Sequence, residues 1–588
     1  MSEQISRIYM LQDAMQQAGI SVCVIPHSDV HQSEYISMHD GVIEWLTGFS
    51  GSAGTLVVTQ TSSYLWTDGR YTIQARRQAG CTISIFIEGT DDVVDYVTWL
   101  GNNLLATDII GIDASFFSYK DFLAIEAMRK KKNVGIQTNF QPIPLLWKDR
   151  PLLPTNSIII LNDCFAGEDV HSKVHRVRRE MSLLHADYYI VSALDEVAWL
   201  LNCRGSDIAY NPVFRSFSLL TANECVVFLN QEAVSEDVYR YFAQYAIQVL
   251  PYSDIKEYVS GLRNATVLFD GSKLNADIVH ELDASTKILN KVSPIAKLKA
   301  IKNSIEIDGC QQAMRKDGVV WVRLWRWLEN ELAQQHILTE GQVASKLTEL
   351  KEQQEFFVSE SFKSIVAYEK NAAICHYSIT ENAVLANKGL LLIDTGTHYL
   401  DGTTDTTRVI VLGELSPLQK KEITLVLKGH IALAQAVFIK GTKGHQLDFL
   451  ARQYLKAEGS DYAHGTGHGI GHCLNVHEGY ASISPKIVDV ALQAGMLLSN
   501  EPGVYKENEY GARIENVMVV ENEEEDAESR FLQFRTLTVC PIDICAIDVQ
   551  WLTADEIAWL TAYQKQVLEE LFPFLTDEEK DWLQQKIA

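Results

Sequence analysis

The most informative alternation of apolar and polar positions surrounds a pair of aspartates. An apolar run, residues 390–393, leads into Asp394, and a β-branched run, residues 409–411, follows shortly after Asp405. This pattern predicts two antiparallel strands joined by a polar turn. If the turn is centred on residues 399–400, the two aspartates face each other directly, with Cβ atoms about 4.5–5.5 Å apart. Facing like charges destabilise a sheet, so such a pair shares a proton or a cation, unless both acids face water in a solvated turn.

Similar patterns organise the end of the chain. Residues 521–528 are acidic and are predicted to form a solvated loop, and residues 531–548 are β-rich. Residues 553–588 have the periodicity of two amphipathic helices, the first starting at Thr553 with acidic residues in its first turn. This tail carries more apolar surface than two short helices bury between themselves. It is therefore expected to pack on the preceding domain, on a second copy of the chain, or on both.

The first half of the chain contains a duplication. Residues 45–52 recur as residues 199–206, and residues 112–115 recur as residues 269–272, at nearly equal offsets. Similar offsets at two separate places predict two related α/β domains. A proline-containing stretch, residues 142–154, marks the boundary between them. The predicted domains are 1–152, 153–302 and 303–588, the last with a C-terminal extension from about residue 525.

Length, charge and cysteine content narrow the class of protein. At 588 residues the chain is too long for a single core and indicates three or four domains. A net charge of −25 argues against nucleic acid as a partner. Ten scattered cysteines without paired spacing indicate reduced thiols in a cytoplasmic protein. There is no apolar signal segment, and no apolar run approaches the roughly 18 residues that span a membrane. We therefore expect a soluble protein that binds neither nucleic acid nor membrane.

Histidines and carboxylates follow in a set order downstream of the aspartates. His464, His468 and His472 alternate with glycines, which disfavour a helix. In an extended segment these three side chains point to one face, and the glycines admit another backbone or a ligand. Glu501 precedes a Pro-Gly pair, and Glu515 lies in an apolar strand, where an unpaired carboxylate is costly. Together with the two aspartates, these residues indicate a dinuclear metallohydrolase.

The order of these motifs resembles that of a known family. Residues 300–520 are similar to the catalytic domain of the pita-bread metallopeptidases. The family's five metal-ligand positions match Asp394, Asp405, His468, Glu501 and Glu515. The two repeats resemble the creatinase-type amino-terminal domains of the aminopeptidase P family, whose long members carry two such modules. The resemblance implies an α/β (α+β) protein with two creatinase-like domains, a pita-bread catalytic domain and a C-terminal extension.

The resemblance also implies how the metals are held. Asp405 and Glu515 are expected to bridge two divalent ions, Asp394 to complete one site, and His468 and Glu501 to complete the other. Four carboxylates and one imidazole suit Mn²⁺, with Co²⁺, Zn²⁺ or Fe²⁺ as alternatives. Two such ions roughly 3.5–4 Å apart can hold a bridging hydroxide and polarise a carbonyl oxygen. Glu501 is expected to serve as both ligand and proton shuttle.

Further residues match outer positions of the family. His376, His464 and His477 are expected to contact the scissile carbonyl or the substrate and to stabilise the developing oxyanion. Arg513 is expected to orient a metal-binding carboxylate, as groups behind metal ligands commonly do. Arg70 lies where the family brings an arginine of the first domain near the substrate.

The implied activity is that of an Xaa-Pro aminopeptidase acting on peptides with proline at the second position. Proline has no amide hydrogen, so such a site must accept a ring instead of pairing with an N–H group. The long members of the family dimerise through their tails, so the resemblance implies a homodimer formed by the C-terminal region. Two alternatives stay open: a prolidase-like dipeptidase, and a non-catalytic pita-bread binding protein.

Overall fold

The computed structural model describes residues 3–379, 383–523 and 530–587, and it divides the chain into two compact units. The first unit comprises Met1–Ile160, Glu168–Ala209 and Val213–Ile295, and the second comprises Leu161–Gly167, Tyr210–Pro212 and Ala296–Ala588. Most of the predicted acidic loop, and the predicted start of the C-terminal extension near residue 525, lie outside the described residues. The domain boundaries predicted after residues 152 and 302 stay predictions.

Two six-stranded sheets with the same strand order form the first unit. The strands of the first sheet are, in spatial order, Ile83–Ile87, Ser63–Thr67, Thr55–Thr59, Val22–Pro26, Ile109–Gly111 and Gly135–Gln137. Those of the second are Ile247–Pro251, Cys225–Leu229, Ser216–Leu220, Tyr188–Val191, Thr266–Phe269 and Lys287–Asn290. In both sheets the fourth strand in this order is antiparallel to the third and parallel to the fifth. The same strand order in both sheets is expected of two related domains, as the duplicated sequence predicts. A separate pair of short strands joins Ile159–Ile160 to Cys203–Arg204.

The helices of the first unit repeat as well. The first set is Glu3–Gln17, Val42–Thr47, Thr72–Gln78, Tyr96–Asn103, Tyr119–Lys132 and Ile143–Leu146. The second set is Val170–Leu183, Leu194–Leu200, Glu236–Gln244, Ile255–Ser260 and Ala276–His280, after which Pro294–Ala300 leads out of the unit. Trp45 and Trp199, which begin the repeated sequence, lie in the second helix of each set with 8% and 3% of their surface exposed. The repeated sequence therefore begins, in each set, within an equivalent buried helix.

An antiparallel six-stranded sheet dominates the second unit. Its strands are, in spatial order, Val437–Ile439, Phe531–Thr536, Asn516–Asn522, Leu497–Asn500, Gly467–Gly469 and Glu478–Ile483. Two three-stranded sheets consist of Ile365–Tyr368, Leu390–Thr395 and Thr406–Val411, and of Phe357–Glu360, Thr397–Tyr399 and Gly402–Thr403. A hairpin pairs Gly503–Lys506 with Tyr510–Arg513. Strand Leu390–Thr395 is buried along its whole length, and strand Asn516–Asn522 is buried over its first five residues.

Helices enclose these sheets. They are Asp163–Ala166, Ser304–Ala333, Glu340–Glu352, Pro417–Ala434, Asp448–Ala457, Ala554–Leu571 and Asp577–Ile587. The longest has 30 residues and starts at a capping box in which the side chains of Asn303 and Glu306 each accept from the other's backbone N–H. It buries Trp321 and Trp325, each 1% exposed, against the strands beneath. Within the described residues, no helix has the length and apolar character needed to cross a membrane.

The C-terminal segment is an integral part of the second unit. Strand Phe531–Thr536 lies inside the six-stranded sheet, paired on both sides. The first tail helix begins after Thr553, as predicted, and a capping box with Glu556 fixes its start. The predicted β-rich stretch is shorter than expected, because residues 537–552 are mostly irregular with two short 3₁₀ turns. Much of the tail's apolar surface is therefore buried within its own chain.

Leu571, at the end of the first tail helix, should be a sensitive probe of this packing. Its side chain is fully buried and lies over Gly318 of the long helix. Leu571→Ala should lower the free energy of unfolding by about 2–5 kcal/mol, because it leaves a cavity. Phe574→Ala, at a site 51% exposed, should change it by no more than about 0.5 kcal/mol. Urea unfolding would measure both, and equal effects would mean that the tail does not pack as described.

Candidate metal centre

The two aspartates of the predicted hairpin lie on neighbouring positions of one small sheet. Strands Leu390–Thr395 and Thr406–Val411 are antiparallel, and Asp394 pairs with Thr407. Asp405 immediately precedes the second strand. The prediction that Asp394 and Asp405 face each other directly is therefore wrong. Thr407, whose role the sequence did not indicate, occupies the position opposite Asp394.

The turn that joins these strands explains the difference. Tyr399 pairs with Gly402, so the turn is centred on Leu400 and Asp401, one residue later than predicted. A Cβ at Gly402 would lie 2.9 Å from the Cα of Cys310 in the long helix, so packing on that helix requires glycine there. Moving the turn by one residue shifts the register by two residues. A two-residue shift keeps side chains on the same face of the sheet, so both carboxylates still point to one site.

Three side chains form the centre of this site. Atoms of Asp405, His468 and Glu515 lie within 4.8 Å of one another, close enough to share a metal ion. Nε2 of His468 is 3.5 Å from Oδ2 of Asp405 and 3.4 Å from Oε1 of Glu501. Oδ1 of Asp394 is buried and accepts no hydrogen bond from the residues that the structure describes. The five predicted ligands are thus brought together.

Burial and mutual repulsion make this cluster unfavourable when its carboxylates are charged. Asp405 is 3% exposed, and burial followed by the charge of Glu515 raises its pKa well above the usual range. Burial raises the pKa of Glu515 in the same way, with the charges of Glu501 and Asp394 adding to it. Arg513 offsets part of this effect for both residues. Oxygen-rich, negatively charged groups with an unused lone pair fit divalent cations, which would remove the repulsion.

Arg513 and Thr407 connect the carboxylates from behind. A guanidinium nitrogen of Arg513 contacts Oδ2 of Asp394, and its Nε donates to the hydroxyl of Thr407 over 3.0 Å. That hydroxyl in turn donates to Oε2 of Glu515 over 2.6 Å. The carboxylates of Asp394, in strand Leu390–Thr395, and of Glu515, just before strand Asn516–Asn522, are therefore held through one hydroxyl and one guanidinium. The sequence predicts an orienting role for Arg513, and the structure places this residue on Asp394.

The histidine segment is less regular than the sequence suggests. Only Gly467–Gly469 is a strand, so the prediction that His464, His468 and His472 share one face of an extended segment is wrong. His472 is buried, at 3% exposure, outside this strand. The flanking glycines are required by close contacts: a Cβ at Gly467 would lie 1.9 Å from the carbonyl oxygen of Ser499. Because the strand fits into this narrow space, His468 reaches the carboxylates.

Two of the other predicted histidines, His464 and His477, lie beside the cluster. The rings of His468 and His477 lie 4.4 Å apart at an interplanar angle of 78°. Nδ1 of His464 is 3.9 Å from Oε2 of Glu501. His376 is half-buried and follows the short 3₁₀ helix Glu369–Ala373.

Tyr505 is a second residue that the sequence analysis missed. Its hydroxyl accepts from Nη1 of Arg513 over 2.7 Å and lies 2.8 Å from Nε2 of His464. It also bonds the thiol of Cys375, whose pKa burial raises to about 11. Within the hairpin, Gly503 pairs with Arg513, so Tyr505 lies on the same face as that arginine. The pairing of Gly503–Lys506 with Tyr510–Arg513 is the signal that could have identified Tyr505.

Arg70 belongs to the first unit, and its described contacts are local. Its guanidinium lies 2.8 Å from Oδ2 of Asp68 and 3.3 Å from Oε1 of Glu34. Its Nε also donates to the Asp68 carboxylate over 3.0 Å. The predicted approach of Arg70 to the substrate stays a prediction.

Family models match the chain along most of its length. The model of metallopeptidase family M24 matches residues 308–522, and that of the C-terminal region of peptidase M24 matches residues 530–588. The creatinase/prolidase N-terminal domain is matched twice, at residues 7–141 and 149–306. The predicted architecture, two creatinase-like domains followed by a pita-bread catalytic domain, is confirmed by these matches.

Individual relatives are similar over the whole chain. The probable Xaa-Pro aminopeptidases P of Paracoccidioides brasiliensis (strain Pb03) and Tuber melanosporum are 35% and 36% identical, covering 99% of this chain and 98% and 97% of theirs. A crystal structure of X-prolyl aminopeptidase from Caenorhabditis elegans, described as a cytosolic enzyme with a di-nuclear active site, covers both chains fully with 31% identity and a TM-score of 0.96. The Xaa-Pro dipeptidase from Bacillus anthracis shares the fold over 64% of this chain and 99% of its own, at 22% identity and a TM-score of 0.52. The chain therefore belongs to the Xaa-Pro aminopeptidase P family of M24 metallopeptidases.

Proposed function

We propose that this protein removes the first residue of peptides whose second residue is proline. The observation that carries the proposal is the cluster of Asp405, His468 and Glu515 in a chain that aligns end to end with Xaa-Pro aminopeptidases P. The solved relative with a TM-score of 0.96 is an X-prolyl aminopeptidase with a di-nuclear active site. The duplicated amino-terminal module favours this activity over that of a prolidase-like dipeptidase.

The candidate ligands divide naturally between two divalent ions, for which we propose Mn²⁺. Asp405 and Glu515, at the centre of the cluster, would be ligands common to both ions; Asp394 would complete one site, and His468 and Glu501 would complete the other. Bound divalent ions supply a water of lowered pKa and polarise the scissile carbonyl. The buried position of the acids excludes bulk water, which strengthens every charge interaction inside the site.

Glu501 is the group best placed to move a proton. Its Oε1 accepts from the hydroxyl of Ser499 over 3.1 Å, which fixes the carboxylate beside His468. The carboxylate takes a proton from the attacking water and passes it to the proline nitrogen as the peptide bond breaks. His376, His464 and His477 hold the peptide, and His376 and His477 donate hydrogen bonds to the carbonyl oxygen as it becomes negative. Arg70 is a further candidate for peptide binding.

Cleavage before proline requires a site that does not depend on an amide hydrogen. A prolidase-like enzyme would share every candidate ligand but would cleave Xaa-Pro and leave Xaa-Pro-Xaa intact. A non-catalytic binding protein would cleave neither. Turnover of the tripeptide and of the dipeptide by the Mn²⁺-loaded protein therefore separates the three functions, and we expect cleavage of the tripeptide.

The tail also supports a proposal about assembly. Val549, Trp551 and Ile557 lie close together along the chain and are 60%, 41% and 41% exposed. Exposed large apolar side chains favour contact with another surface, and a two-fold dimer is the commonest soluble oligomer. We place the homodimer contact there.

All ten cysteines lie in the described part of the chain and none forms a disulfide, which supports a cytoplasmic location.

Neutral isosteres of the shared ligands should lose metal and activity together. In Asp405→Asn and Glu515→Gln, removing one anionic ligand common to both sites should abolish turnover and reduce bound Mn²⁺. Asp401→Asn is the matched control, because this aspartate of the same hairpin pairs with Lys316 at 2.6 Å instead. Metal analysis after gel filtration, together with tripeptide turnover, gives the result. Two ions retained in either ligand variant would refute the assignment.

The outer histidines should affect rate without affecting metal content. His376→Ala and His477→Ala should keep both ions and lose about 10²–10³ in kcat, the range observed when an oxyanion donor is removed. His336→Ala, a surface histidine paired with Glu331, should behave as the wild type. If metal content falls in the first two variants, these histidines are ligands and the proposed coordination is incorrect.

Replacing the exposed apolar residues Val549 and Trp551 by charged ones should dissociate the dimer. The wild type should sediment with twice the 66.1 kDa chain mass at micromolar concentration. Trp551→Asp combined with Val549→Asp should give folded monomers, since two aspartates cannot be buried in a symmetric contact at low cost. Phe574→Asp, at another exposed apolar position of the tail, serves as the control. A wild-type monomer, or a dimer unaffected by the double change, would exclude this contact.

A further inference from the structure

Arg408 is a buried cation that forms no ion pair with any described residue. Its side chain is 1% exposed, and its five N–H groups have six acceptors within hydrogen-bond distance, so one N–H is shared; all six acceptors are carbonyl groups or neutral side chains. The acceptors are the carbonyl oxygens of Thr407 (2.9 Å), Glu515 (2.7 Å), Cys540 (2.8 Å) and Pro541 (3.0 Å), Oδ1 of Asn516 (2.8 Å) and the hydroxyl of Tyr563 (2.8 Å). Burying a charge without a counter-ion is costly, so these bonds must repay a large desolvation penalty.

One side of the guanidinium joins the two strands that carry the central carboxylates. Nη1 bonds the carbonyls of Thr407 and Glu515, and the backbone N–H of Glu515 donates to the carbonyl of Thr407 over 3.2 Å. The side chains of the same two residues bond each other over 2.6 Å. The backbone at Glu515 is therefore fixed relative to the hairpin by the guanidinium fork, and the carboxylate position depends on that backbone.

The other side of the guanidinium binds the C-terminal segment. Nε and Nη2 bond the carbonyls of Pro541 and Cys540, and Nη2 also donates to the hydroxyl of Tyr563. Tyr563 lies in the helix Ala554–Leu571, is 4% exposed, and its hydroxyl donates to the carbonyl of Cys540 over 2.8 Å. The tail thus surrounds half of the guanidinium and aligns it by hydrogen bonding.

We propose that Arg408 and Tyr563 are positioning residues for the metal centre, and that the C-terminal segment acts through them on Glu515. This inference rests on the proposed function only in taking Glu515 as a metal ligand. Neither residue touches substrate or metal; Arg408 fixes the backbone that carries the ligand, and Tyr563 fixes Arg408. The tail is then a working part of the metal site, whatever contact it also makes with a second copy.

Conservative variants of the full-length protein test the proposal. Tyr563→Phe removes only the hydroxyl, and Arg408→Lys keeps the charge but loses the planar fork. Each should weaken Mn²⁺ binding, measured by titration calorimetry on the metal-free protein, by about 10–100-fold, the range found when a group behind a ligand is removed. Saturating Mn²⁺ should restore most turnover in Tyr563→Phe.

Gln564→Met is the matched control. Gln564, the next residue of the same helix, bonds the backbone N–H and carbonyl of Ile542 at 3.2 and 2.6 Å and does not contact Arg408. It should lower thermal stability and leave Mn²⁺ affinity at the wild-type value. Wild-type affinity in both Tyr563→Phe and Arg408→Lys, or an equal loss in Gln564→Met, would overturn the proposal. A wild type that binds Mn²⁺ but does not cleave Xaa-Pro-Xaa would instead defeat the proposed activity and leave this inference standing.

Discussion

The second unit is organised around the repulsion between acidic groups gathered in a buried place. Asp405 and Glu515 are almost completely buried, and the charge of Glu515 raises the cost of ionising Asp405. Such an arrangement persists only when the rest of the fold over-determines it. Arg513 supplies positive charge at Asp394, Thr407 bridges two strands with one hydroxyl, and Arg408 holds the backbone beneath. A bound cation completes this balance, which is why the cluster has the character of a metal site.

Close approach of backbones is the second requirement of the site. Gly469 is paired with Glu478, and a Cβ at this glycine would lie 2.5 Å from the carbonyl oxygen of that residue. Glu478 is in turn held by Lys299 and Lys302, all three being buried. The strand that carries His468 therefore fits between neighbours that larger residues would displace. The imidazole of His468 reaches its position because the glycines on either side of it have no side chain.

Local patterns in the sequence predict several of the elements but not how these elements align with one another. The duplication, the two apolar strands around Asp394 and Asp405, and the helix start at Thr553 follow from periodicity, repeated motifs and capping residues. The register of the hairpin does not, because the packing of Gly402 on the long helix decides where the turn lies. The roles of Thr407 and Tyr505 depend on that register and on a second hairpin. The roles of these two residues depend on tertiary structure, so no single segment of the sequence indicates them.

The position of strand Phe531–Thr536 inside the six-stranded sheet has a consequence for biosynthesis. During translation the neighbouring strand Asn516–Asn522 emerges first and presents an open edge, with its backbone groups unpaired. Glu515 lies at one end of that open strand. A nascent chain that does not yet contain the tail carries all five candidate ligands but lacks the strand that pairs with Asn516–Asn522 in the sheet. A polypeptide stalled at this stage would expose an unpaired strand edge with which another chain can pair.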